Sequence, residues 1–334
     1  MATVKVNARI RTLVDQLSTD GQLANVIQND SSVPHDAPVF PIHFRREVLE
    51  IAKSQLIAAM SLGSKYSWLI EKSAELVELL FEECKTEDER KLIHDLFDRF
   101  VFVTQSKMSD YTNQLAEEIA TTPFLTPENT IIAAMAADSS PDSSQFLVQF
   151  IKVKLQQLNW SNVEIVNTFG SAFKTSKKSG FKRLNIVVID EFIGSGKTAV
   201  SRNNAIRTQF SEANQNANIL IKSIFCSRVG IDHLNKNDVN FAYLEEIKRG
   251  ITDFESDQAI AKKRLLDMQN LEKWLSHESG THKMSECTLG YGQTESLIAL
   301  EKANIPNSVF PIFWWTERID GTQRKTLFTR WIGK

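Results

Sequence analysis

LNIVVIDEFIGSGKTAV, residues 184–200, is the stretch whose reading decides the fold. Ile186, Val187, Val188 and Ile189 form a continuous apolar run, the pattern of a strand buried on both faces of a parallel sheet. Asp190 and Glu191 follow at its carboxyl end, where ligands of open α/β sheets gather. Gly194, Ser195 and Gly196 then form a loop of small residues, and Lys197 and Thr198 open the next helix. Such a loop lets backbone amides wrap an anion at the positive end of the helix.

Two readings compete for this loop. GSGKT is a common ending of the Walker A nucleotide loop, but that pattern needs a glycine five residues before its second glycine. Counting back from Gly196 lands on Glu191, a carboxylate that would face the phosphates. The second reading gives the acids a role. Four apolar residues, two acids, two apolar residues, then small-Ser-Gly-x-Thr resembles the phosphoribosyl-diphosphate (PRPP) signature of type I phosphoribosyltransferases. That resemblance implies that Asp190 and Glu191 hold the ribose hydroxyls. It implies that Gly194, Ser195, Gly196, Lys197 and Thr198 hold the 5-phosphate. The plain alternative, an ordinary strand-to-helix turn, rarely carries adjacent acids before a Ser/Gly/Thr loop.

Bulk properties bound the class. The chain has 334 residues, enough for one large domain or two ordinary ones. Its 42% hydrophobic and 24% charged residues are those of a globular protein, and a net charge of −2 offers no basic field for nucleic acid. Cys84, Cys226 and Cys287 lie far apart, form no CxxC pair and leave an odd thiol, which fits a reducing cytoplasm. No apolar run approaches the ~20 residues of a membrane span. The first residues lack the apolar core of a signal peptide.

Residues 1–120 read as helical. Ile10, Val14 and Leu17 share a helix face, and 29–41 is a proline-broken loop. A helix is expected from about His43 to Met60, another after Gly63, a fourth capped by Thr86 and Glu89, and a fifth to about Ala120. This region shows no cluster of catalytic residue types. From 121 onward strands alternate with helices: strands at 130–136, 162–169, 218–226 and 239–246, and helices at 145–158 and 198–213. This order predicts an α/β domain over 121–334, a parallel sheet flanked by helices. A charged helix is expected over 255–277, and His277 and His282 lack metal-ligand spacing and read as surface residues. The polar, basic segment 171–183 reads as a loop or hairpin tip. Its lysines are ordinary surface charges or, as an alternative, a lid in which Lys177 or Lys178 closes over a diphosphate.

The loop after the first strand of the sheet, 137–144, is rich in Ser and Asp. Such clusters usually make turns and caps. In phosphoribosyltransferases this loop holds the pyrophosphate, which would give Asp138, Ser139, Ser140, Ser143 and Ser144 that role beside a Mg²⁺ carried by the substrate.

About residues 85–316 resemble the phosphoribosyltransferase-like effector family of bacterial conflict systems, the coupled effector branch. VVIDEFIGSGKT, the segment LFDRFVFVTQSKMS and the tail LGYG…NIPNSVFPIFWW carry the resemblance. It implies a type I phosphoribosyltransferase-like fold with a C-terminal hood. The same resemblance implies a toxic effector in an anti-phage module, in some cases a retron with its reverse transcriptase, msDNA and DNA-binding partner. Glu191 replaces the commoner second Asp, Gly194 stands where Thr is usual, and Lys197 where a small residue is usual. The implied chemistry is cleavage or transfer at ribose C1′ of PRPP or a nucleotide, through an oxocarbenium-like state. A catalytically silent nucleotide sensor, a scaffold and a base-salvage enzyme are the alternatives. The aromatic run Phe310, Phe313, Trp314 and Trp315 is expected in the core rather than stacked on a base.

Overall fold

A computed structural model describes residues 42–138 and 142–331. The expected first helix, the loop at 29–41, and Ser139 and Ser140 lie outside the described residues. The described residues divide into two compact units, the part up to residue 93 with 323–327, and the part from residue 94 to 322 with those from 328 onward.

In the first unit, α1 (Ile42–Lys65) leads through a 3₁₀ turn at Ser67–Leu69 to α2 (Ser73–Val77), which continues as a π-helical turn over Glu78–Glu83. Leu62, Leu69, Leu76, Leu80 and Leu92 are buried together as its core. The helix expected after Gly63 is therefore two short pieces rather than one. Helix α3 (Glu87–Arg99) opens on the expected capping box: Thr86 N donates to Glu89 Oε2 at 2.9 Å, and Glu89 N donates to Thr86 Oγ1 at 3.1 Å. Arg324 grips Glu83 through two nitrogens, each 2.6 Å from a carboxylate oxygen, and so ties 323–327 into this unit.

The second unit is the α/β domain. Its elements are β1 (Val101–Val103), α4 (Gln105–Thr121), β2 (Thr130–Ala134), α5 (Ser143–Gln157), β3 (Glu164–Val166), α6 (Ser171–Lys178), β4 (Asn185–Ile193), α7 (Lys197–Glu212), β5 (Asn218–Ser227), α8 (Arg228–Lys236) and β6 (Phe241–Ile247). Next come α9 (Gln258–Glu272), the short hairpin β7 (Glu278–Ser279) and β8 (His282–Lys283), α10 (Met284–Cys287) and β9 (Ile298–Leu300). Five strands form a parallel sheet in the order β3-β2-β4-β5-β6. Ile186 to Ile189 are fully buried in its centre, as their unbroken apolar run requires.

Helices cover both faces. On one, Glu118 of α4 pairs with the buried Lys222 of β5 at 3.0 Å, and Glu117 reaches Lys154 of α5. On the other, Phe173 of α6 packs edge-on against Phe210 of α7 over Ile186, Val188 and Ile221.

Three expectations need correction. The boundary at 120/121 moves to 93/94, because α4 carries Glu118 and Tyr111 onto the sheet and belongs with it. Residues 101–103 are a strand, not helix, and pair in parallel with β9. Residues 171–178 are a helix rather than a loop, anchored by buried Ala172 and Ser176. In addition, the strand expected over 162–169 pairs only at 164–166. The aromatic tail is core, as expected: Phe310, Phe313, Trp314 and Trp315 are all fully buried, and Trp314 Nε1 donates to Val309 O at 2.9 Å.

Candidate functional site

Sheet order decides where a site can form. From β2 the chain moves outward to β3, and from β4 it moves the other way to β5. The loops leaving β2 and β4 therefore diverge, and a crevice opens between them at the carboxyl end of the sheet. Both motifs singled out in the sequence stand there.

Asp190 and Glu191 leave β4 at this crevice. Glu191 N donates to Asp190 Oδ1 at 3.0 Å. Each keeps a solvent-facing edge, yet protein surrounds both closely. Burial first, then the neighbouring Glu191 carboxyl, pushes Asp190 well above the usual carboxylate range. Burial also raises Glu191, against hydrogen bonds from Asp190 and Ser143 that favour its charge. Both shifts favour the protonated over the charged form of the pair. Glu191 Oε2 has no hydrogen-bond partner among the described residues and is free to accept one.

Ser143 opens α5 on the β2 loop, and its side chain favours the charged form of Glu191. Ser144 does not share this placement. It is fully buried, its hydroxyl donates to Asp142 Oδ1 at 2.5 Å and accepts from Ala136 N at 3.1 Å. Those bonds occupy it in capping α5, so it is not a ligand donor. Asp138 is exposed on the same loop, and its carbonyl accepts from Gln145. Lys177 and Lys178 are exposed in the last turn of α6. That turn leads to Arg183, which bonds the carbonyl of Thr130, and Thr130 pairs with Asn185 where the strands begin. The two lysines lie at the opposite end of the sheet from the acids, which removes the structural basis for the lid.

The loop between β4 and α7 is shaped for an anion. Gly196 caps α7 with φ of +73°, a left-handed conformation that suits glycine, and no side chain caps the first amides of the helix. The loop is clamped from behind by α8. Ser227 Oγ donates to Gly194 O at 2.7 Å and accepts from Gly230 N at 2.9 Å. A Cβ on Gly230 would come within 2.4 Å of Gly194 O, so only glycine allows this approach.

The tail reaches the same loop, a juxtaposition that strand and helix patterns do not reveal. Tyr291, in the Gly-Tyr-Gly turn, places its ring 5.2 Å from the Lys197 ammonium. A Cβ on Gly292 would lie 2.9 Å from Ser195 Cβ, and one on Gly194 would lie 2.0 Å from Ser308 Oγ. Leu289, Gly290, Gly292, Gln293 and Glu295 all take positive φ. Two buried carboxylates hold the ends of this turn: Glu272 accepts from Leu289 N and Thr288 Oγ1, and Glu295 accepts from Ile251 N, Thr252 N and Thr252 Oγ1.

Among the described residues, no group of three His, Cys, Asp or Glu is arranged to hold a metal ion. No helix among them is long and apolar enough to cross a membrane. His277 is exposed, while His282 is half-buried, accepts from Arg330 Nε at 3.1 Å and meets the edge of Trp314.

A parallel sheet carrying an acid pair and a glycine loop at its switch point defines a phosphoribosyltransferase-like α/β protein. Residues 80–330 match the family model PRTase-CE, three quarters of the chain, and the chain belongs to the PRTase-CE family of phosphoribosyltransferase-like effectors. No curated protein matches it. A hypothetical protein from Neisseria gonorrhoeae, solved with bound ppGpp, is similar at 8% identity over 45% of this chain and 85% of its own, with a TM-score of 0.26 that bears no weight.

Proposed function

We propose that the crevice binds the ribose 5-phosphate part of PRPP or of a nucleotide and acts at ribose C1′, and that the chain is a regulated effector of a retron-type anti-phage system. One observation carries the ligand reading. The paired acids and the open start of α7 flank one loop, spaced to serve the hydroxyl end and the phosphate end of one sugar phosphate.

In this reading, Glu191 Oε2 and Asp190 accept hydrogen bonds from the ribose hydroxyls. Their ionised pair then lies close to the cation that develops at C1′. Loop amides from Ser195 to Thr198 and the Lys197 ammonium hold the phosphate. An unpartnered carboxylate oxygen and a hydroxyl-bearing loop fit a diphosphate-bound Mg²⁺ held through water. When bound, Mg²⁺ supplies charge neutralisation to a leaving diphosphate. The effector role rests on the family and on the helices described over residues 42–93, which lie outside the α/β unit. A reverse transcriptase with its msDNA, or a DNA-binding protein, is the partner this predicts.

Thermal shift with PRPP and with nucleoside monophosphates tests the ligand: a raised melting temperature in the wild type that is absent in Asp190→Asn/Glu191→Gln is the expected result. Expression with and without neighbouring genes tests the role. Growth arrest should appear when the restraining partner is missing or triggered, and vanish with Asp190→Ala. Arrest that persists in that variant removes this site as the source of toxicity.

A further inference from the structure

We infer that Ser308, more than a hundred residues beyond the phosphate loop, supplies a hydroxyl ligand to the phosphate in place of the side chain that Gly194 lacks. This rests on the phosphate reading of the 194–198 loop given above. Three observations carry it. First, the Ser308 hydroxyl oxygen lies 2.0 Å from where a Cβ on Gly194 would stand, so it occupies the space of that missing side chain. Second, Ser308 is 4% exposed, and the hydrogen bonds it accepts from Thr294 and Ser296 are made by its backbone carbonyl, not by its hydroxyl. Third, the segment is held firmly. Ser308 O accepts from Thr294 Oγ1 at 2.7 Å and from Ser296 N at 3.2 Å, and a Cβ on Gly290 would lie 2.0 Å from that same carbonyl. The backbone is thus locked.

The open start of the sixteen-residue helix α7 provides the other half of the site. Loop amides alone read an anion by charge and shape. A fixed hydroxyl beside Gly194 adds a directed donor to a phosphate oxygen. The glycine at 194 and the tail then form a single device. Ser308 needs the space that Gly194 leaves, and the loop needs the donor that Ser308 brings. The ligand class is a sugar monoester phosphate, with the hydroxyl as a specificity-determining contact for that group.

The test is calorimetric titration of the full chain with ribose 5-phosphate, ribose and inorganic phosphate, alongside melting temperatures. Ser308→Ala should weaken ribose 5-phosphate binding by about tenfold, with melting temperature unchanged or raised. Gly194→Ser should disturb binding by collision with Ser308. Gly194→Ser combined with Ser308→Gly should recover most of the affinity, because the hydroxyl is again delivered to the same place. A merely structural Ser308 would show no such rescue. Wild-type binding that is unchanged in Ser308→Ala overturns the inference and leaves the phosphate site standing. A wild-type chain that binds neither ribose 5-phosphate nor inorganic phosphate overturns both. Should Ser308→Ala fail to fold, the double variant alone decides: a folded double variant without affinity for ribose 5-phosphate, beside a wild type that binds it, overturns the inference.

Discussion

The ammonium of Lys197 stands over the ring of Tyr291, 5.2 Å from its centroid, at the mouth of the loop that opens α7. Lys197 is exposed and Tyr291 half-buried, so the contact contributes about 0.5–1 kcal/mol. Its use is to aim a charge. Lys197→Met should leave the melting temperature within about a degree, as exposed substitutions do, and weaken ribose 5-phosphate binding several-fold. The loss should be larger at low ionic strength, where the ammonium is less screened. Titrations at two salt concentrations check this, and equal affinity of variant and wild type at low salt would assign the phosphate to the loop amides alone.

The acid pair predicts a pH dependence. Asp190 and Glu191 both have folded pKa values raised above their ordinary ones. Their stability contribution is fully present below the ordinary carboxylate range and is lost as pH rises through the raised values. Asp190→Asn/Glu191→Gln should therefore gain stability relative to wild type as pH rises from 4 to 8. Ligand binding runs the other way. Ribose hydroxyls donate to the ionised pair, so binding lowers the raised pKa values and releases protons, and affinity should tighten with rising pH. Proton release measured by calorimetry in two buffers checks the sign, and uptake instead of release would be incompatible with hydroxyls on the acids.

Glu272 behaves similarly at the far end of the strained turn. Burial raises it to about 7, against hydrogen bonds from Thr288 and Leu289. Its contribution is full below pH 4.5 and is lost as pH rises through about 7, up to about 3 kcal/mol. Glu272→Gln keeps an acceptor without the charge. It should flatten the stability profile between pH 5 and 8 and be the more stable form at pH 8. Denaturant midpoints across that range would show it, and parallel profiles for both proteins would mean that Glu272 does not titrate there.

Trp314 is fully buried against Trp315, with its indole N–H donating to Val309 O. Trp314→Ala should cost about 3–5 kcal/mol. Urea unfolding measures this, and a normal midpoint with lost ligand binding would instead make the tail a ligand platform.

Much of this architecture is legible in the chain because its signals are local. Ile186–Ile189 declare a central strand by an unbroken apolar run, Thr86 and Glu89 declare a helix start by reciprocal hydrogen bonds, and the aromatics at 310–315 declare a core by sheer apolar area. The acid pair and the glycine loop are also local, being consecutive residues around one strand end. What stayed hidden is non-local or ambiguous. Val101–Val103 is too short to announce a strand, and its partner lies almost two hundred residues away. Segment 171–178 looks like a loop because its inward side needs only Ala172, Phe173 and Ser176. Ser308, Gly292 and Tyr291 meet the phosphate loop only through the tail's path, and no spacing rule connects residue 308 to residue 194.

That path has a consequence for the order in which the chain is made. Residues 130–247 contain all five strands of the sheet and both loops of the crevice, so this part leaves the ribosome and can begin to fold before the tail is made. The strand β9 and the turn bearing Tyr291 and Ser308 are synthesised later and must dock onto structure already formed. A growing chain therefore owns an acid pair and a bare glycine loop before it owns the cover of that loop. The cover of the loop is thus added by a segment that follows every strand of the five-stranded sheet in the chain.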